Sequence, residues 1–415
     1  MVLMNFTPER VRSQFNGLHQ RYNHQQVSFF DGPGGAQVPI SVLDAMSAYL
    51  GHFNSNLGGH YFSSQKTTQL LAEARSACQA LLNASSSDSI VFGANMTSLT
   101  FSLSRAISRN WQADDEVIVT ALDHYANVST WQQAAEDKGV KVHTARVDPQ
   151  DCSVDIEHLQ SLISNKTRLI AITLASNTTG TIVDIAPVVA AAKAVGAQVY
   201  VDAVHYAPHH LVDVQSLECD FLVCSAYKFC GPHIGIAYIA PKWLQALQPY
   251  KVEPATDLGP GRFETGTQSF EALAGLVATI EYLAQWADTS QSLRQRLEQS
   301  FAAYNRYESQ LSDYFLNRLQ TLKGVTLWGR TIADANMRTP TFALTFAKAE
   351  PIEVAKALGE QNICLWSGHF YALGLVRQLA LENSGGVLRI GMMHYNTKAE
   401  IDRLFDALMP FCGEA

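Results

Sequence analysis

Short apolar runs alternate with stretches of helical spacing through the first two thirds of the chain, a rhythm that predicts β-α-β units sharing one sheet. Strands are expected at 27–30, 89–92, 116–120, 141–145, 168–173, 198–202, 220–224 and 234–239. Helices are expected from Thr7 and Pro8 and over 38–49, 66–82, 96–108, 126–137 and 185–194. The runs at 198–202, 220–224 and 234–239 are apolar at nearly every position, as strands covered on both faces should be, which places them in a mostly parallel central sheet. Past residue 288 the pattern changes. A long helical stretch at 288–322 leads into strands near 325–329, 341–346, 363–366 and 386–391, with helices at 351–360, 371–381 and 397–410. The expected organisation is an N-terminal helical segment (1–24) packed near a small α+β C-terminal domain (286–415), with a large α/β domain (25–285) between them. No repeat or low-complexity linker separates the two domains, so a shared cleft is the expected place for a site.

Composition narrows the class. The chain has 415 residues, 47% of them hydrophobic, enough to bury a large core. Its net charge is −8 with 16% charged residues and no Lys/Arg cluster. That balance argues against nucleic acid or an anionic membrane as a partner and favours a small-molecule site. The seven cysteines are dispersed without a CxxC pair, so neither a zinc site nor a disulfide framework is expected, and a cytoplasmic setting is the default. The N-terminus lacks a basic start followed by a long apolar core, and no apolar run reaches about 18 residues, so export and membrane spanning are not expected.

The candidate chemistry sits at strand ends. Lys228 follows the apolar run Phe221-Leu-Val-Cys-Ser and precedes a turn, and Asp202 ends the run Gln198-Val-Tyr-Val-Asp. Two neighbouring parallel strands would deliver this amine and carboxylate to one edge, the pair that pyridoxal 5'-phosphate requires. The lysine holds the aldehyde as a Schiff base, and the aspartate keeps the ring nitrogen protonated. His124, Asn177 and Ser225 also fall at predicted strand ends. In an open parallel sheet ligands bind outside the carboxyl ends of the strands, so this clustering reads as an active site. The glycine-rich turn Asp31-Gly-Pro-Gly-Gly permits close backbone approach. The loop 54–61 is a further candidate wall.

Four segments together, Ser225-Ala-Tyr-Lys-Phe-Cys-Gly-Pro-His-Ile-Gly, Val201-Asp-Ala-Val-His-Tyr-Ala-Pro-His, Arg262-Phe-Glu-Thr-Gly-Thr and Leu388-Arg-Ile-Gly-Met-Met-His-Tyr-Asn-Thr, resemble the class V aminotransferase family in its cysteine desulfurase-like branch. The resemblance covers about 25–410. It implies a fold-type I homodimer, with pyridoxal phosphate in active sites at the subunit boundary. It further implies that Lys228 carries the Schiff base, Asp202 partners the ring nitrogen, His124 stacks on the ring, and Asn177 lies near the ring hydroxyl. For the phosphate it implies Ala94 through its backbone, Asn95 through its amide, Ser225, and Thr267 from across the dimer. His205 stands where the desulfurases usually have glutamine, and Tyr227 where histidine often precedes the lysine. Arg389 is the candidate grip for a substrate carboxylate, because a guanidinium offers a planar two-donor fork.

The resemblance also marks a difference. In Trp366-Ser-Gly-His-Phe-Tyr-Ala, Trp366 stands for a usual arginine and Tyr371 for the loop cysteine whose thiolate accepts sulfur in desulfurases. Tyrosine, with a pKa near 10, cannot accept sulfane sulfur. Cys364 and Cys230 lie nearby in sequence but read as small buried apolar residues. The expectation is therefore an enzyme acting on a small amino acid, cleaving or eliminating at the β carbon with Tyr371 as a candidate acid. An aminotransferase or epimerase, and a non-catalytic cofactor-binding relative, stay open as alternatives.

Overall fold

The computed structural model describes residues 6–413; the ends of the expected N- and C-terminal segments, 1–5 and 414–415, lie outside the described residues. Helix α1 (Pro8–Arg12) starts where Thr7 accepts the Arg10 N–H, and a two-residue hairpin follows, β1 (Arg21–Tyr22) with β2 (Gln25–Gln26). β3 (Ser28–Phe29) leads through the glycine-rich turn to α2 (Ile40–His52) and α3 (Phe62–Leu82).

The alternation expected from the sequence then appears: β4 (Ile90–Gly93), α4 (Met96–Ile107), β5 (Glu116–Thr120), α5 (Ser129–Glu136), β6 (Lys141–Ala145), α6 (Ile156–Ser161), β7 (Thr167–Thr173), α7 (Ala186–Val195), β8 (Gln198–Asp202), α8 (Val214–Leu217), β9 (Phe221–Ser225) and β10 (Gly235–Ile239). These seven strands form one sheet in the order β4-β10-β9-β8-β7-β5-β6. All pairings are parallel except those of β10, which runs antiparallel to both neighbours.

Both faces of this sheet are buried, and period-2 alternation assigns the side chains. On β9, Phe221 and Val223 join one hydrophobic cluster and Leu222 and Cys224 the other. On β8, Tyr200 faces the first cluster, and Val199 and Val201 the second. This is why the three runs contain almost no polar residue.

After α9 (Pro241–Ala246) and α10 (Phe270–Leu283), the 27-residue α11 (Leu293–Leu319) carries the chain to the smaller unit. Its strands are β11 (Val325–Trp328), β12 (Thr341–Phe346), β13 (Ile363–Cys364), β14 (Trp366–Gly368) and β15 (Val387–Gly391), with α12 (Pro351–Glu360), α13 (Leu373–Gln378) and α14 (Lys398–Leu408). The antiparallel sheet β11-β12-β15-β14 packs one face on α11, α12 and α14 through Phe342, Leu344, Leu388 and Ile390.

The strand expected at 363–366 is two short strands with different partners. β14 pairs with β15, whereas β13 pairs in parallel with β3. The expected helix at 371–381 is shorter, because Phe370 and Tyr371 take left-handed conformations just before it. The short helices α6 and α9 and the longer α10 were not anticipated.

A buried cluster ties α11 to both units. Glu308 on α11 accepts from His209 Nδ1 at 2.9 Å and lies 4.0 Å from His394 Nδ1, all three being buried. Burial pushes the Glu308 carboxyl up, and His209 works against that shift.

Candidate active site

A cavity of about 940 Å³ opens at the carboxyl ends of the parallel strands, between the two units. Ala94 and Asn95 follow β4, His124 follows β5, Asn177 follows β7, Asp202 ends β8, and Ser225 ends β9 with Lys228 one turn beyond. All of them line the cavity, as do His205, Tyr371 and Arg389. Of the single residues expected at the site, only Thr267, which is exposed, does not line it; the loop 54–61, expected as a further wall, contributes no residue to the lining.

The Lys228 ammonium donates to the carbonyls of Pro33 and Gly34 in the glycine-rich turn and lies 4.8 Å from the Tyr227 ring centroid. Burial, and next the Arg389 charge, push its pKa down to about 7, with Asp202 and Asp31 opposing. An amine near 7 is in part neutral at physiological pH, the form that can attack an aldehyde or take a proton. Site-resolved acylation of the cofactor-free protein, followed by mass spectrometry across pH, is expected to show Lys228 reacting with a midpoint near 7 rather than 10.5. A midpoint above 9 would remove the physical basis for its reactivity.

Asp202 is buried and its Oδ1 accepts the Val204 N–H at 2.8 Å. Burial lifts its pKa to about 6, against the pull of that bond and of Lys228. Its second oxygen accepts nothing from the described residues, which leaves it available to a pyridinium N–H. Behind it, Asp123 accepts from Thr120 and from Asn127, and burial raises it to about 8. His124 Nδ1 accepts the Ala126 N–H at 3.0 Å, which places the proton of the neutral ring on Nε2. Burial, then Lys228 and Arg389, lower its pKa to about 4, so the ring is neutral at physiological pH.

The N-terminus of α4 gathers Ala94, Asn95 and Ser225 with one residue more, Thr97. Asn95 spends its side-chain oxygen capping α4, accepting the Ser98 N–H at 2.9 Å in a capping box. Met96 N–H goes to Ser225 Oγ at 2.9 Å, which leaves the Ser225 O–H to donate. The free groups are the backbone N–H of Ala94 and Thr97, the Thr97 hydroxyl and the Asn95 amide nitrogen, gathered at the N-terminus of a 12-residue helix. Gly235 makes this turn possible, because a Cβ there would lie 2.4 Å from the Asn95 carbonyl carbon. Thr97 was missed in the sequence; the Asn-x-x-Ser capping pattern at 95–98 was the available signal.

Arg389 lies at the centre of β15 rather than at a strand end. Alternation sends Leu388 and Ile390 into the small core and Arg389 to the opposite face, toward the cavity. Its Nη1 donates to the Asn177 carbonyl at 2.9 Å, and the Phe370 ring covers the guanidinium with its centroid 3.9 Å from Cζ. Burial lowers Arg389 to about 9, still cationic at neutral pH. Asn177 Nδ2 donates to the Phe370 carbonyl at 2.8 Å, and its Oδ1 is buried without a partner.

One Asn177 N–H thus fastens the 366–372 loop instead of facing a ligand. Phe370 and Tyr371 both have positive φ, 51° and 59°. Such conformations cost roughly 1–2 kcal/mol each without glycine, and the Asn177 and Arg389 contacts hold the loop against that cost. His205 Nε2 lies 3.1 Å from the hydroxyls of both Thr339 and Thr341, and burial depresses its pKa strongly.

These residues suit pyridoxal phosphate: an anion cup at a helix N-terminus, a carboxylate oxygen without a partner, an orphaned amide oxygen and a depressed lysine. No cysteine lines the cavity. The thiols are all held above their usual range, chiefly by burial, to about 12 for Cys152, Cys219 and Cys224. Cys78, Cys230, Cys364 and Cys412 shift in the same direction. Among the described residues no cluster could hold a metal ion and no helix is long and apolar enough to cross a membrane.

The fold and site define a pyridoxal-phosphate enzyme of fold type I. Residues 28–404 match the aminotransferase class-V family. A cysteine desulfurase of Pectobacterium atrosepticum and one of Yersinia pestis are each 31% identical, covering 98% of both chains. The crystal structure of the cysteine desulfurase CsdA of Escherichia coli in its S-sulfonic acid form superposes with TM-score 0.83 at 25% identity, over 97% of this chain and 98% of that one. A C-DES mutant with glycine covalently linked to its PLP cofactor shares the fold, with TM-score 0.79 at 21% identity over 96% of this chain and 99% of that one. The chain belongs to the class V aminotransferase family, and its cofactor is pyridoxal 5'-phosphate.

Proposed function

We propose that the protein is a lyase that acts on a free amino acid and breaks a C–S or other bond at the β carbon. The observation that carries this reading is one cavity holding a depressed lysine and a free-edged arginine, with no cysteine in its lining. When bound, pyridoxal phosphate supplies an electron sink for negative charge at the substrate's α carbon. Arg389 binds the substrate carboxylate through the N–H groups that Asn177 leaves free, and so orients the α carbon toward Lys228. Neutral Lys228 Nζ takes the α proton, and the Tyr371 hydroxyl donates a proton to the departing group. The neutral His124 ring, with its proton on Nε2, would help to hold the cofactor.

A desulfurase-type transfer needs a low-pKa thiolate, and the raised cysteines support a different outcome. Product analysis with the purified holoenzyme tests this. Pyruvate or alanine formed without a second keto acid supports the lyase; obligatory consumption of an α-keto acid assigns an aminotransferase, and an inverted amino acid an epimerase.

The proposal includes a cytoplasmic homodimer in which exposed Thr267 reaches the partner subunit's phosphate site. Loss of a hydrogen bond to a charged group, about 1.5–3 kcal/mol, makes Thr267→Ala weaken cofactor retention roughly tenfold or more by the same conversion. Equilibrium dialysis reads this directly, and unchanged retention removes Thr267 from the site.

A further inference from the structure

Lys228 and Arg389 recognise what all α-amino acids share, whereas the group on the β carbon meets a different wall. On β14, Trp366 stands directly across from Arg389 in antiparallel register, so both side chains project from one face of the sheet and both line the cavity. The chain then continues through His369 and Phe370 to Tyr371. The Tyr371 ring stacks against His124, with centroids 5.2 Å apart and planes at 26°, and meets His369 edge-on at 6.0 Å. Trp366 and Tyr371 are nevertheless 60% and 66% exposed. Two large rings are thus presented at one mouth by a loop fastened underneath through Phe370.

The charge distribution is equally one-sided. Segment 366–372 contains no Asp, Glu, Lys or Arg. The Asp, Lys and Arg side chains that line the cavity are Asp31, Asp202, Lys228 and Arg389, and the reading above assigns all but Asp31 to the cofactor and the amino-acid end. Asp31 sits beside Arg389 and Lys228, whose charges act on it. An ionic group on the substrate's far side would meet no Asp, Glu, Lys or Arg on segment 366–372, whereas a flat apolar group would gain ring contacts with Trp366 and Tyr371.

We propose that the substrate is an amino acid whose β substituent carries an uncharged aromatic group, and that Trp366 and Tyr371 select it. This rests on the pyridoxal-phosphate reading of the same site and extends it to the substrate's far end. The test is a rapid-mixing absorbance titration of the holoenzyme with L-alanine, S-methyl-L-cysteine, S-phenyl-L-cysteine and L-cysteine sulfinate, yielding a Kd for each without relying on turnover. The S-phenyl compound is expected to bind roughly tenfold tighter than the S-methyl one, the scale of a favourable ring pair.

Trp366→Ala and Tyr371→Ala should each shrink that ratio, and the double variant should bring it close to one. Trp366→Phe and Tyr371→Phe, which keep a ring, should preserve it. Retained cofactor absorbance in every variant checks that the site has folded. Equal affinities for the two thioethers, a ratio that survives in the double alanine variant, or tightest binding of the sulfinate overturns the aromatic preference alone. A holoenzyme whose spectrum responds to no amino acid overturns the underlying reading with it.

Discussion

A Lys228→Ala variant is expected to lose at least roughly 10³-fold in turnover, because one nitrogen serves as both covalent anchor and proton carrier. The structure separates these roles from mere charge. Lys228 is a partly buried amine beside the Arg389 guanidinium, and repulsion from that neighbour helps to depress its pKa. Removing its charge alone should therefore not unfold the protein. Lys228→Arg keeps a cation near the Pro33 and Gly34 carbonyls but offers no neutral amine, so it should be as inactive as alanine. The check is turnover together with mass spectrometry after borohydride treatment, which should label residue 228 in the parent and nothing in either variant. Activity in the arginine variant within tenfold of the parent would defeat the assignment.

The second large effect is expected at Arg389. Its replacement by alanine removes a charge-assisted, two-point grip worth about 3 kcal/mol, which corresponds to a KM increase of roughly 10²-fold. Lysine should restore little, because an ammonium cannot present a planar fork and cannot stack under Phe370 in the same way. A second readout follows from the 3.9 Å contact with the Phe370 ring. Without it the left-handed pair at 370–371 loses one of its two fastenings, so limited proteolysis should cut the 366–372 loop faster. A KM unchanged in the alanine variant would mean that the substrate carboxylate is held elsewhere.

How far the site was legible depended on whether a residue's role is local or cooperative. Asp202, Ser225 and Lys228 could be placed because β8 and β9 are short, apolar on both faces and end abruptly in polar residues. Their parallel pairing then brings them to one edge without further information. Arg389 was placed in the cleft, but its means of getting there is different: it is the odd residue in an alternating strand, between Leu388 and Ile390. Asn95 is expected at the phosphate through its amide; its oxygen caps helix α4, which leaves its amide nitrogen as a donor beside those of Ala94 and Thr97. The Phe370 contact with Arg389 and Asn177 could not be read at all. It joins positions far apart in the chain, and the left-handed conformations that allow it fall on residues with no local preference for them.

The turn after β3 has a role that neither sheet suggests alone. Asp31 bridges to Gly391, two positions from Arg389, and the Phe30 carbonyl accepts the Gly391 N–H at 2.7 Å. Gly391 must lack a side chain, since a Cβ there would sit 2.1 Å from Pro33. The same turn receives Lys228 on the Pro33 and Gly34 carbonyls, and Ala36 N–H bonds to Tyr227 at 3.0 Å. Six residues near the start of the polypeptide thus act as a gauge block between amine and guanidinium. Lengthening that block by a single amino acid would misalign both groups at once while leaving each parent sheet intact.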